Sequence, residues 1–146
     1  MKIAIFQSAC AGLSSAEKID RLSRYIVEYN EIERDPLDLV ICPELFITGY
    51  NVGEELNKNA EPAQGASFTA IARLCQQLNT AIVYGYAEVS GDELHNSAAF
   101  VSKDGDLVAN HRKQLNSPGS FEEKYFTPGD KVTNLEYHGL KIASLI

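Results

Sequence analysis

Glu44 stands in the stretch Pro43-Glu44-Leu45-Phe46-Ile47-Thr48-Gly49-Tyr50, directly after the apolar run Leu37 to Cys42. That run is short, aliphatic and bounded by Pro36 and Pro43, which is the pattern of a buried strand. Strand ends of open α/β sheets are where ligands bind. A carboxylate placed there could act as a general acid or base; it could equally pair with a surface lysine and face water. Lys113 closes His111-Arg112-Lys113 at the end of another apolar run, and Glu122 and Glu123 lie in a charged segment further on. Taken alone, each of these reads as a solvated charge. The thiols Cys10, Cys42 and Cys75 are widely spaced and form no CxxC pair, and Cys75 falls on an apolar helical stripe as a small buried hydrophobe. All three read as structural. His95, His111 and His138 lack the spacing of a metal site.

Composition narrows the field. A chain of 146 residues is long enough for one domain with a substantial core. Its 45% apolar and 23% charged content is ordinary for a soluble globular protein. A net charge of −7 without a basic tract argues against nucleic acid as a partner. No apolar run is long enough for a membrane span, and the start MKIAIFQ breaks too soon for a secretory signal. With three unpaired cysteines, the expectation is a reducing, cytoplasmic setting. Neither GxGxxG nor GxxxxGK[ST] follows the first strand, which disfavours a nucleotide-binding domain.

The elements that must position these residues follow from periodicity. Lys2 to Ser8, dense in Ile, Ala and Phe, predicts a central strand. Ser14-Ser15-Ala16-Glu17 is a capping box. In the helix it opens, Ile19, Leu22, Ile26 and Tyr29 form one stripe, with Glu17, Lys18, Arg21, Arg24 and Glu31 mostly off it. Strand, helix and the Leu37 to Cys42 strand make a βαβ unit with parallel strands. Residues 50 to 65 read as a loop holding a helical turn at 54 to 58. Ser67 is the predicted cap of a second helix with the stripe Phe68, Ile71, Cys75 and Leu78. Strands follow at 81 to 89, 95 to 102 and 107 to 111, with an Asp-Gly hairpin turn at Asp104-Gly105. Residues 113 to 128 form a long loop, of the kind compact domains keep for function. A last hairpin, 132 to 137 and 140 to 146, turns at His138-Gly139. The overall class is α/β with mixed strand directions.

Five segments in order, MKIAIFQ, CPELFITGYN, IVYGYAE, HNSAAFVSKDGDLVANHRK and FEEKYFTPGD, resemble the N-terminal half of the nitrilase, or carbon–nitrogen hydrolase, superfamily. The CPE-x-F-x-TGYN wording is most similar to the amidase branch acting on small carboxamides. The resemblance implies an α-β-β-α sandwich, two sheets face to face with helices outside, of which residues 1–146 are the N-terminal portion of a single domain. It implies a catalytic set of Glu44, Lys113 and a second acid at Glu122, or at its neighbour Glu123 if the loop differs by one residue. Tyr50 and Asn51 are candidates for the pocket wall.

The nucleophile that the resemblance implies is a cysteine immediately after Ile146. In the implied reaction Glu44 is the general base, Lys113 holds the oxyanion, Glu122 orients Lys113, and no metal or cofactor takes part. The implied partners are a small amide substrate and, through the helical layer, a second copy of the chain. A nitrile, an N-carbamoyl amine or an omega-amide would use the same residues, and a non-catalytic module would use none of them. Because LKIASLI carries no turn, cap or polar tail, the expectation is a polypeptide longer than 146 residues. An intact mass above that of these 146 residues is the expected result.

Overall fold

Ser14 and Glu17 open the first helix as the capping box requires. The Ser14 hydroxyl accepts from the Glu17 amide at 3.3 Å, and the Glu17 carboxylate accepts from the Ser14 amide at 2.8 Å. In this computed structural model, which describes residues 1–50, 52–144 and 146, that helix is α1 (Ser15–Glu33). It joins β1 (Ile3–Ile5) to β2 (Leu39–Ile41), and the two strands run parallel. A 3-10 turn (Gly53–Glu55) and the short α2 (Leu56–Asn59) fall where a helical turn is expected. After α3 (Ala66–Leu78) come β3 (Ala81–Ser90), β4 (Glu93–Val101) and β5 (Leu107–Arg112). These complete a five-stranded mixed sheet in the order β1-β2-β3-β4-β5, its last two pairings antiparallel. The chain ends in the hairpin β6 (Thr133–Tyr137) and β7 (Leu140–Ser144).

The strands carry apolar side chains on both faces because both faces are covered. On one side Leu22 and Ile26 of α1, and Ile71, Leu74 and Cys75 of α3, pack against Ile82, Tyr84, Tyr86, Ala99 and Val101. On the other, Leu135, Tyr137 and Ile142 of the hairpin pack against Leu39, Ala81 and Phe100. The layering is helix, sheet, sheet, as the nitrilase-type sandwich requires. No helix among the described residues is long and apolar enough to cross a membrane.

Four local expectations are corrected. Among the described residues β1 lies at the sheet edge rather than its centre: Ala4 and Phe6 pack into the helix-side core, while Ile5 on the opposite face is 73% exposed. Ser67 is inside α3, whose cap position is Gly65; the Glu61 carboxylate receives the Ser67 amide at 2.7 Å and its hydroxyl at 2.6 Å. A carboxylate at a helix N-terminus gains from the dipole and satisfies the orphan amide, so it displaces the weaker hydroxyl cap. Lys18 is buried, and its ammonium donates to the Ile47 carbonyl at 2.8 Å, tying α1 to the turn that carries Glu44. Residues 113 to 128 contain the short helix α4 (Phe121–Tyr125), capped by Ser120.

That turn lies flat on β3. Leu45 adopts a left-handed φ of 48°, which costs on the order of 1–3 kcal/mol for a residue with a side chain. Burial of Leu45 against Leu56, Ala87 and Phe126 contributes about 1.5–3 kcal/mol and offsets the strain. Below the turn, a Cβ on Gly85 would meet the Leu45 amide nitrogen at 2.5 Å and the Pro43 carbonyl oxygen at 2.8 Å. Gly85 is therefore the floor on which Glu44 is held. Gly85→Ala is expected to lower unfolding free energy by about 1–3 kcal/mol, read as a lower denaturant midpoint.

Candidate active site

Three chain segments meet at one ammonium. Glu44 leaves the end of β2 on the turn described above. Lys113 follows β5, and its amide donates to the Asn96 carbonyl at 2.8 Å, continuing the ladder with β4 by one residue. Glu122 enters from α4. The loop carrying it is fastened at both ends: the Thr127 amide donates to the Leu94 carbonyl and the Gly129 amide to the Lys113 carbonyl, each at 2.7 Å. Inside the loop the Asn116 side chain donates to the Phe126 carbonyl at 2.7 Å, and buried His95 bonds the Thr127 carbonyl through Nδ1 at 2.8 Å.

Lys113 is only 7% exposed, and its Nζ donates to Glu44 Oε1 at 2.8 Å and to Glu122 Oε1 at 2.9 Å. Glu122 is fully buried; its second oxygen accepts from the Ser117 amide at 2.7 Å. Glu123 points away and accepts from the Gly119 amide at 2.9 Å. Of the two adjacent acids, Glu122 is thus the one that faces Lys113. The register is set by Ser120, whose hydroxyl accepts the Glu122 amide and starts α4. The Tyr50 hydroxyl approaches Glu122 Oε1 at 3.4 Å, and the Tyr50 ring stands edge-on to Phe121 with centroids 5.0 Å apart.

Electrostatics follow from these contacts. Burial works against the Glu122 anion, but the Ser117 amide and the Lys113 ammonium outweigh it and bring its pKa down to about 2. Burial likewise works against the Lys113 cation, and the hydrogen bonds it donates to Glu44 and Glu122 outweigh it, leaving its pKa above the ordinary lysine value. The site therefore holds one ammonium between two carboxylates.

Glu44 is the member that meets open space, with its side chain 31% accessible. It forms part of the wall of two clefts. One, of about 390 Å³, is also lined by Asn96, His111, Ser144 and Ile146. The other, of about 620 Å³, is lined by Ser8, Cys10, Lys18 and Tyr50. Asn51, the other candidate for the pocket wall, lies outside the described residues. Burial pushes the Cys42 thiol well up and the Cys75 thiol up to about 12, as suits inert core cysteines. No group of three or more His, Cys, Asp or Glu among the described residues could hold a metal ion.

Sequence reasoning missed Asn96. Its side-chain amide donates to Glu44 Oε1 at 2.7 Å and to Glu122 Oε1 at 3.0 Å. The available signal was the polar run His95-Asn96-Ser97 inside an otherwise apolar strand. Alternation puts Asn96 on the face opposite His95 and Ser97.

The carbon–nitrogen hydrolase family model matches residues 2–146. A Pseudomonas protegens protein, the "hydrolase in pqqF 5′ region", is 32% identical over 149 residues, covering 100% of this chain and 50% of its own. An (R)-stereoselective amidase from Pseudomonas sp. is 31% identical over 109 residues, covering 75% of this chain and 39% of its own. Among solved structures, an amidase from Nesterenkonia sp. superposes with a TM-score of 0.82 at 23% identity, over 99% of this chain and 54% of that one. This chain spans half the length of the first of these relatives and less of the second.

Because the folded-state pKa of Glu122 is depressed from 4.5 to about 2, its ionisation stabilises the fold above pH 4.5. That contribution is lost as the pH falls from 4.5 towards 2. In thermal melts, Glu122→Gln is expected to lower Tm at neutral pH and to flatten the fall in Tm across that acid window.

Proposed function

The chain belongs to the carbon–nitrogen hydrolase family, and on that premise we propose that it carries the acid–base half of an amidase site. The reaction is hydrolysis of a small carboxamide through a cysteine thioester, releasing ammonia and a carboxylate. The observation that carries this reading is the near-buried Lys113 ammonium shared by Glu44 and Glu122, with Glu44 open to a cleft.

In the proposed reaction a cysteine that follows Ile146 supplies the thiol, and Ile146 itself borders the cleft that Glu44 lines. Glu44 takes the thiol proton as sulfur attacks the amide carbon. The carbonyl π electrons move onto oxygen, giving a tetrahedral oxyanion. Two of the three N–H groups of Lys113 are engaged by the acids, so one remains to donate to that oxygen. Collapse breaks the C–N bond, and Glu44 returns its proton to the nitrogen, which leaves as ammonia. Water, deprotonated by Glu44, then attacks the thioester; the C–S bond breaks and the thiol regains its proton. Glu122 keeps Lys113 charged and aimed.

Small carboxamides are preferred because the CPE-x-F-x-TGYN wording is of the amidase type and an amidase from Pseudomonas sp. is among the relatives. A nitrilase from Pyrococcus abyssi, 35% identical over 104 residues, supports a nitrile as the second reading. The complete polypeptide is expected to release ammonia from aliphatic carboxamides. Glu44→Gln is expected to lower kcat by about 10²–10⁴-fold, the range lost with a general base. Lys113→Ala is expected to lower kcat with little change in KM, since the oxyanion forms only in the transition state. Ammonia release that is unchanged in Glu44→Gln would overturn the proposal.

A further inference from the structure

We infer that Asn96 is a positioning residue of the proposed reaction: its side-chain amide closes a ring of four hydrogen bonds that holds both acids against one ammonium. The inference rests on the hydrolase reading above. The ring runs from Lys113 Nζ to Glu44 Oε1 (2.8 Å), from there to Asn96 Nδ2 (2.7 Å), on to Glu122 Oε1 (3.0 Å) and back to Nζ (2.9 Å). Each carboxylate oxygen in it accepts from the Lys113 ammonium and the Asn96 amide, and Glu122 Oε1 is also approached by the Tyr50 hydroxyl at 3.4 Å. The Asn96 carbonyl also receives the Lys113 amide at 2.8 Å, so one residue of β4 fixes the lysine backbone and both of its acid partners.

The chemistry of the ring selects an amide. Two carboxylates and one ammonium leave a net charge of −1, which suits a site whose exposed acid must accept a proton. A second cation would neutralise that charge, whereas a neutral donor satisfies the same lone pairs and preserves it. The orientation of the amide is fixed as well. Flipped, its oxygen would face two carboxylate oxygens. As placed, both N–H groups are used, and the Asn96 side-chain oxygen is left buried with no donor among the described residues, in a residue 1% exposed. Folding alone disfavours a buried unpaired acceptor. Such a cost is found where a site imposes the geometry.

The titratable groups facing the ring are its own members, Glu44 after β2, Lys113 after β5 and Glu122 on α4, together with the Tyr50 hydroxyl. All of them lie within one hydrogen-bonded set. Removing Asn96 takes one donor from each carboxylate and favours protonation of the set.

The test is kinetic, on the complete polypeptide with a simple aliphatic carboxamide, with folding checked by thermal melts. Asn96→Ala is expected to lower kcat by about 100-fold, the scale set by displacing a catalytic group by about 1 Å. KM should change little, and the acid limb of the kcat profile should move to higher pH. Asn96→Asp is nearly isosteric but places a third carboxyl against two others, which raises its pKa; at the alkaline end of the profile, where it ionises as a third anion, it should be less active than Asn96→Ala. A residue that only filled space would give the opposite order. Should Asn96→Ala fail to fold, Asn96→Ser, which keeps one donor, takes its place in the same comparison. An active wild type whose Asn96 variants keep its kcat within twofold and its acid limb in place overturns this assignment alone. A wild type inert on every amide and nitrile overturns the hydrolase reading and this assignment with it.

Discussion

An ammonium that is 7% exposed is stable only if the protein returns what water would have supplied. Here the return is two carboxylate oxygens at 2.8 and 2.9 Å, and the geometry of the whole site follows from that need. The acids must come from different directions without colliding. One is delivered by a strand-end turn resting on Gly85, the other by a loop stitched to β4 and β5. Remove either and the lysine is left a partly unpaired buried cation. The same pairing that makes the cluster costly to build keeps it from relaxing into alternative rotamers. In the proposed reaction, where the site would meet a carbonyl in a defined place, that rigidity is the useful property.

Much of this was legible from residue order. Glu44 stood out because a buried strand rarely ends in a carboxylate followed by a Gly-Tyr turn. The βαβ unit and both hairpins followed from apolar runs and turn residues, and the family likeness supplied the pairing of Glu44 with Lys113. The choice between Glu122 and Glu123 was not legible, because adjacent residues on a short helix point in different directions and the start of α4 depends on the Ser120 cap. Asn96 was hidden for another reason. Its role depends on which strand face looks toward Lys113, and that is decided by the register of β4 against β5.

The misreadings share a cause. Ser67 obeys the local rule for a cap, but Glu61, six residues earlier, reaches the same amide with a full charge. Lys18 obeys the amphipathic pattern as a surface residue, yet a carbonyl of the Glu44 turn lies within its reach. β1 has a central strand's composition and an edge position. In each case a contact distant in sequence overrode a local preference.

Arg112 and Lys113 are neighbours that point to opposite faces of the sheet. On the helix side, buried Glu88 accepts from Arg112 Nη2 at 2.6 Å and Nε at 3.0 Å, from Ser97 Oγ at 2.7 Å and from Asn110 Nδ2 at 2.8 Å. Tyr86 completes the group by donating to Asn110 at 2.9 Å. A strand shifted by one place exchanges its two faces. Such a slip of β5 would carry the guanidinium into the acid pair and the lysine into the Glu88 nest, leaving neither acid group with a donor of the right shape. Glu88 thus acts as a molecular index pin, deciding from behind the sheet which of two adjacent cations is dealt to the front.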